Sequence, residues 1–230
     1  MEVKTKYYNF SCAEGKTHVP SNKLISEQDR IRLLKVGRRL EYLTIIYNSL
    51  EGVIAVVAGL IAGSIALIGF GFDSVIEVTS GATLLWLLHG QRDEAQRERD
   101  ETIALRIVGI CFLLLAGYVG YEAVEALFQG VTPERSLIGI VLAIASLIVM
   151  PLLTRAKRRV AKELNSAAMA ADAQQTEFCV YLSAILLGGL VLNALSGWWW
   201  ADPVAALIMV PIIGKEGIEA LEGETCCEGL

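Results

Sequence analysis

The sequence predicts an all-α integral membrane protein of six transmembrane helices with both termini in the cytoplasm. Three observations predict it. Hydrophobic residues make up 54% of the 230 residues and charged ones 20%, against about 45–50% and 25% in soluble domains, and the mean hydropathy is +0.51. The charges are confined to blocks, with apolar stretches of spanning length between them. The basic residues of those blocks fall on alternate connections. A net charge of −5 gives no general basic footprint, so nucleic acid is not an expected partner. The apolar content also excludes a largely disordered chain.

Residues 1–40 read as a cytoplasmic tail without a charged-then-apolar signal pattern. Within it, Ser26 and Asp29 resemble a capping box. Ile31, Leu33, Leu34, Val36 and Leu40 form an apolar stripe among basic residues. This predicts a short basic amphipathic helix, lying on the inner leaflet or simply fixing orientation beside the membrane.

A six-helix membrane domain is expected over residues 41–215. Residues 42–89 carry only three formal charges, Glu51, Asp73 and Glu77. A span takes about 20 residues, so this stretch makes two, broken near Gly63–Ser64. Residues 91–101 are a solvated charge run, either a loop or a helix extension. Residues 107–128 make the third span, with Glu122 and Glu125 meeting water near its end. Residues 137–154, without a charge, make the fourth. Residues 168–195 make the fifth, 200–214 a shorter sixth, and 216–230 a short cytoplasmic tail.

Lys and Arg set orientation. Fourteen lie on one side before the C-terminal tail is considered: Arg30, Arg32, Lys35, Arg38 and Arg39, then Arg92, Arg97, Arg99 and Arg106, then Arg155, Lys157, Arg158, Arg159 and Lys162. The other side has Arg135 alone. Trp198, Trp199 and Trp200 then fall at the outer interface, the level indoles favour.

Ionisable groups inside a span cost about 2.5–3.5 kcal/mol on insertion scales, so each needs a cavity, a partner or a substrate. Asp73 and Glu77 are four apart, on one helix face, with Cβ atoms about 5–6 Å from each other. They repel unless protonated or bridged by a cation. A divalent metal resolves both problems; protonated carboxyls bonded to neighbouring helices are the alternative. On span five, Asp172, Gln175, Thr176 and Cys179 share one stripe. Each can offer oxygen or sulfur to a metal, or hydrogen-bond between helices. Glu51 and Asn48 on span one either line the same cavity, with a proton-handling role, or bond to each other to fix packing.

Three runs carry a resemblance: GSIALIGFGFDSVIEVTSGATLLWLL (63–88), ADAQQTEFCVYLSAILLGGLVL (171–192) and GWWWADPVAALIMVPIIGKEGIEAL (197–221). They resemble spans two, five and six of the cation diffusion facilitators, proton-coupled exporters of zinc and related divalent ions. The resemblance covers most of residues 40–221. It implies a transport site of two pairs of ligands four apart, one pair on span two and one on span five. Asp73 and Glu77 match the first pair, with glutamate in a usual aspartate place. The second falls on Gln175 and Cys179, where the family commonly has histidine and aspartate. A thiolate favours zinc, cadmium or copper(I) over magnesium or manganese, and binding releases its proton. Asp172 and Thr176 are expected to line the inner path. Only 15 residues follow Lys215, so the resemblance implies a short form without the cytoplasmic C-terminal domain, any homodimer forming through the spans. Gly59 and Gly63 offer one small-xxx-small face, which also suits packing within a monomer.

The cysteines at 12, 111, 179, 226 and 227 show no extracellular disulfide framework. Cys226 and Cys227 either collect a soft metal at the inner mouth, with Cys12, or are exposed thiols without a role. Cys111 reads as an apolar packing residue, and His89 as an interfacial residue. No phosphate-cradling GxxxxGK[ST] or GxSxG elbow is present, so the chain is not expected to be an enzyme or to hold a permanent cofactor. The expected function is export of a divalent heavy-metal cation, zinc foremost, in exchange for protons across the plasma (inner) membrane. The alternative is a non-transporting metal-binding protein that acts as a sensor or as an accessory to another transporter.

Overall fold

The computed structural model describes residues 27–89, 94–130, 132–164 and 166–222. They form six helices in chain order: α1 Glu27–Ala62, α2 Ile65–His89, α3 Glu94–Gln129, α4 Leu137–Leu164, α5 Ala167–Ser196 and α6 Ala201–Glu222. In hydrocarbon a helix satisfies its own backbone, which is why such apolar runs adopt it. Among the described residues there is no strand. Helices α1 to α5 are long and apolar enough to cross a membrane. The 22-residue α6 falls short of that measure, because Asp202, Lys215, Glu216 and Glu219 crowd its ends.

The expected break at Gly63–Ser64 is present. Gly63 has φ 63°, a left-handed conformation suited to glycine. Ser64 N–H donates to Gly59 O at 3.0 Å, the bond of a Schellman stop. Ser64 Oγ then accepts from Leu67 N–H at 3.2 Å and caps α2. A second cap comes from α6: Asp202 accepts from Ser64 Oγ at 2.5 Å, Ile65 N–H at 2.9 Å and Ala66 N–H at 3.5 Å. Nearby, Glu134 N–H donates to Ala62 O at 2.7 Å and Asn193 Nδ2 to Pro133 O at 3.1 Å. The end of the bundle opposite the termini is thus tied across α1, α2, α5, α6 and the α3–α4 connection.

Two sequence expectations need correction. The amphipathic segment is not a separate helix, since α1 runs unbroken for 36 residues from Glu27; Ser26 lies outside the described residues. Cys111 is exposed rather than packed, because the interior face of α3 is taken by Val108, Phe112, Leu115 and Val119. The charge run from Glu94 onward is a helix extension of α3.

The interior is built from Leu67, Phe70, Val119, Met150, Leu182, Leu186, Met209 and Ile213, all buried. The outer faces carry exposed Ile61, Leu114, Ile148, Leu152 and Leu195, the apolar surface that lipid covers. Helices associate most extensively as α1 with α2, α3 with α6 and α4 with α5. Glycines permit close approach. A Cβ on Gly59 would stand 2.9 Å from Ile68 N, so this glycine packs within the monomer. One on Gly109 of α3 would stand 2.7 Å from Gly217 O of α6. Trp198 and Trp200 stack at 5.0 Å between ring centroids beyond α5.

Candidate functional site

Asp73 and Glu77 are the ninth and thirteenth residues of the 25-residue α2, near its middle. Their helical spacing puts both on the face turned into the bundle, and both are buried, as is Cys179 of α5. Cys179 lies beside Asp73 and Glu77, and Thr176 lies beside Glu77. Neither carboxylate oxygen of Glu77 has a hydrogen-bond partner. Gln175 stands half-buried on the next position of α5, and its Nε2 is shielded without a partner. Among the described residues no three His, Cys, Asp or Glu side chains converge closely enough to hold a metal ion as they stand.

Helix α1 adds a polar face to this interior. Glu51 accepts from Tyr47 Oη at 3.1 Å and from Ser74 Oγ of α2 at 3.2 Å. No Glu51–Asn48 bond forms. Asn48 is fully buried, with Nδ2 and Oδ1 both unpartnered. On the far side, Ser183 Oγ lies 2.9 Å from Ser146 Oγ of α4. Polar side chains from α1, α2, α4 and α5 therefore share the interior with the two carboxylates.

Asp172 and Thr176 are engaged in an ionic cluster. Lys157 Nζ of α4 donates to Asp172 Oδ2 at 2.5 Å, Glu41 Oε2 of α1 at 3.2 Å and Thr176 Oγ1 at 3.2 Å. Lys157 is fully buried, so it does not belong with the solvated basic residues of the α4–α5 connection. Its neighbour Arg158 is the more exposed partner of Glu177. Sequence reasoning missed Lys157 and Glu41. The available signal was the buried stripe of α4, Met150, Leu153, Thr154, Lys157, Val160, whose spacing is helical. It also missed Glu216 of α6, which lies close enough to Asp73 to repel it and has a buried, unpartnered Oε1. Glu122 and Glu125 are half-buried, and Glu125 accepts from Gln129 Nε2 at 2.5 Å. Cys12, Cys226 and Cys227 lie outside the described residues, as does the side chain of His89.

The fold is thus a helical membrane bundle with paired carboxylates and a thiol buried at mid-depth. A family model described as the cation efflux transmembrane domain matches residues 42–222. The chain belongs to this cation efflux, or cation diffusion facilitator, family. It is 30% identical to an uncharacterised transporter of Methanocaldococcus jannaschii over 179 residues, 75% of this chain and 63% of that one. It is 29% identical to the magnetosome protein MamB of Paramagnetospirillum magneticum over 171 residues, 72% of this chain and 57% of that one. To the cation-efflux pump FieF of Shewanella oneidensis it is 28% identical over 113 residues, 49% of this chain and 36% of that one. The chain thus spans between about a third and two thirds of the length of these relatives.

Proposed function

We propose that this chain is a secondary active transporter that exports a divalent heavy-metal cation, zinc foremost or another soft ion such as cadmium, in exchange for protons, through an intramembrane site between α2 and α5. The observation that carries this reading is the burial of Asp73 and Glu77 one turn apart against Cys179, with both Glu77 oxygens unpartnered. Buried ionisable groups without partners are costly, and a cation or protons would relieve that cost. Asp73 and Glu77 supply charge, Cys179 a soft donor and Gln175 a neutral oxygen, a four-donor set suited to tetrahedral zinc. With both carboxylates and the thiol ionised the site carries −3, and a divalent ion reduces this to −1. Protons replace the ion to complete the cycle. Donors that do not yet converge suit a transporter, which must bind strongly enough to capture and weakly enough to release. The family match and the cation-efflux pump among its relatives support the class. The same reading places both termini in the cytoplasm of a plasma (inner) membrane, with Cys226 and Cys227 collecting metal and any dimer formed through the spans.

The test is zinc flux into proteoliposomes under an imposed pH gradient, comparing wild type with Asp73→Ala. Proton-dependent uptake abolished by the substitution supports transport through α2. Zinc binding without flux in the wild type sinks it and favours a sensor or accessory role.

A further inference from the structure

Lys157 is the one fully buried basic side chain among the described residues. Its ammonium is held by Asp172, Glu41 and Thr176, from α5 and α1. Apolar side chains often pack such a space at least as stably as a buried ion cluster, so stability is a weak reason for it. The cluster is also incompletely satisfied, since Glu41 Oε1 and Asp172 Oδ1 are buried without partners. It adjoins the candidate cation site. Thr176, which accepts from Lys157 at 3.2 Å, lies one turn before Cys179 on α5 and beside Glu77. A Cβ on Gly81, one turn beyond Glu77 on α2, would stand 3.3 Å from Glu41 Oε2.

We propose that Lys157 sets the cation affinity of the Asp73–Glu77–Cys179 site: it is a tethered ammonium, anchored by Glu41 and Asp172, that opposes a second positive charge at Glu77. It is a positioning residue, and the inference rests on the reading of Asp73 and Glu77 as a cation site. Charges in a poorly polarisable interior act over more than one turn of helix. A lysine head is a compact charge on a flexible stem, able to stay paired while an ion enters beside it. With the ammonium present, a divalent ion is held loosely enough to leave. Without it, the ion binds tightly and leaves slowly.

The experiment measures zinc and cadmium dissociation constants and proteoliposome flux for the full chain. Lys157→Gln is expected to tighten zinc binding at least tenfold and to lower both KM and the maximal rate. Lys157→Arg, which keeps the charge but not the compact head, should tighten binding less than Lys157→Gln. Because Lys157→Gln leaves two carboxylates without a cation and can fail to fold, Lys157→Gln/Asp172→Asn is measured beside it. That pair keeps the net charge of the cluster while removing the ammonium, and should still tighten binding several-fold. A purely structural role predicts a restored fold with wild-type affinity in the double variant. A folded variant of either kind that binds zinc within twofold of wild type, or more weakly, overturns the inference. If wild type binds neither metal, or Asp73→Asn/Glu77→Gln binds them equally well, the cation-site reading fails and takes the inference with it.

Discussion

Asp202 begins α6 yet serves α2, and replacing it tests how the far end of the bundle is held. Asp202→Ala removes the acceptor for Ser64 Oγ at 2.5 Å and Ile65 N–H at 2.9 Å, and a weaker one for Ala66 N–H at 3.5 Å. Two close bonds to a charged acceptor, at about 1.5–3 kcal/mol each, give about 3–6 kcal/mol. Hydrogen bonds measured between membrane helices are weaker, averaging about 0.6 and reaching about 1.7 kcal/mol. The carboxylate also sits at the N-terminus of α2, which adds about 0.3–1 kcal/mol. Asp202→Ala is therefore expected to destabilise the protein by about 2–4 kcal/mol, and Asp202→Asn, which keeps one acceptor, by about 1–2 kcal/mol. Reversible unfolding in mixed micelles, followed by far-ultraviolet circular dichroism and by the fluorescence of the nearby Trp198 and Trp200, reads the difference. The reasoning is refuted if Asp202→Ala lies within about 0.5 kcal/mol of wild type, below the contribution of one average membrane hydrogen bond.

Three further outcomes are expected. Cys179→Ser should weaken cadmium binding more than zinc binding, because oxygen replaces a soft donor; equal losses, or a Cys179→Ala variant that transports like wild type, would remove the thiol from the site. Zinc affinity should rise with pH across the neutral range, since Asp73, Glu77 and Cys179 must lose protons to bind; a pH-independent dissociation constant contradicts this. Gly189→Val should lower the melting temperature, because its Cβ would stand 2.6 Å from Ala205 Cβ and overpacking costs about 1–3 kcal/mol. The adjacent Gly188→Val, with nothing within 4 Å, should not.

The bundle was readable in the sequence because charge is excluded from hydrocarbon and so marks its own boundaries. The turn at Gly63 followed from a glycine and a serine between two apolar runs. Lys157 escaped because it sits among Arg155, Arg158 and Arg159, where position along the chain suggests water while helical phase points inward. Glu41 escaped at the edge of the first span for the same reason. The Asp202 cap joins residues 138 apart, and no local pattern encodes such a bond. Asp73 and Glu77 were legible because their spacing alone puts them on one face. That Glu51 would turn to Tyr47 and Ser74 rather than to Asn48 depended on how α1 and α2 face each other.

The pairing of helices divides the molecule into three planks, α1 with α2, α3 with α6 and α4 with α5. Asp73, Glu77 and Glu41 ride on the first plank; Cys179, Gln175, Asp172 and Lys157 ride on the third. The proposed ion donors and the partners of the ionic cluster are thus divided along one seam. Any sliding or rocking at that seam would change both together. A cross-link that staples α1 to α2 should leave flux intact, and one that staples α2 to α5 should stop it. The same amino acids can then serve as two jaws and as the latch between them.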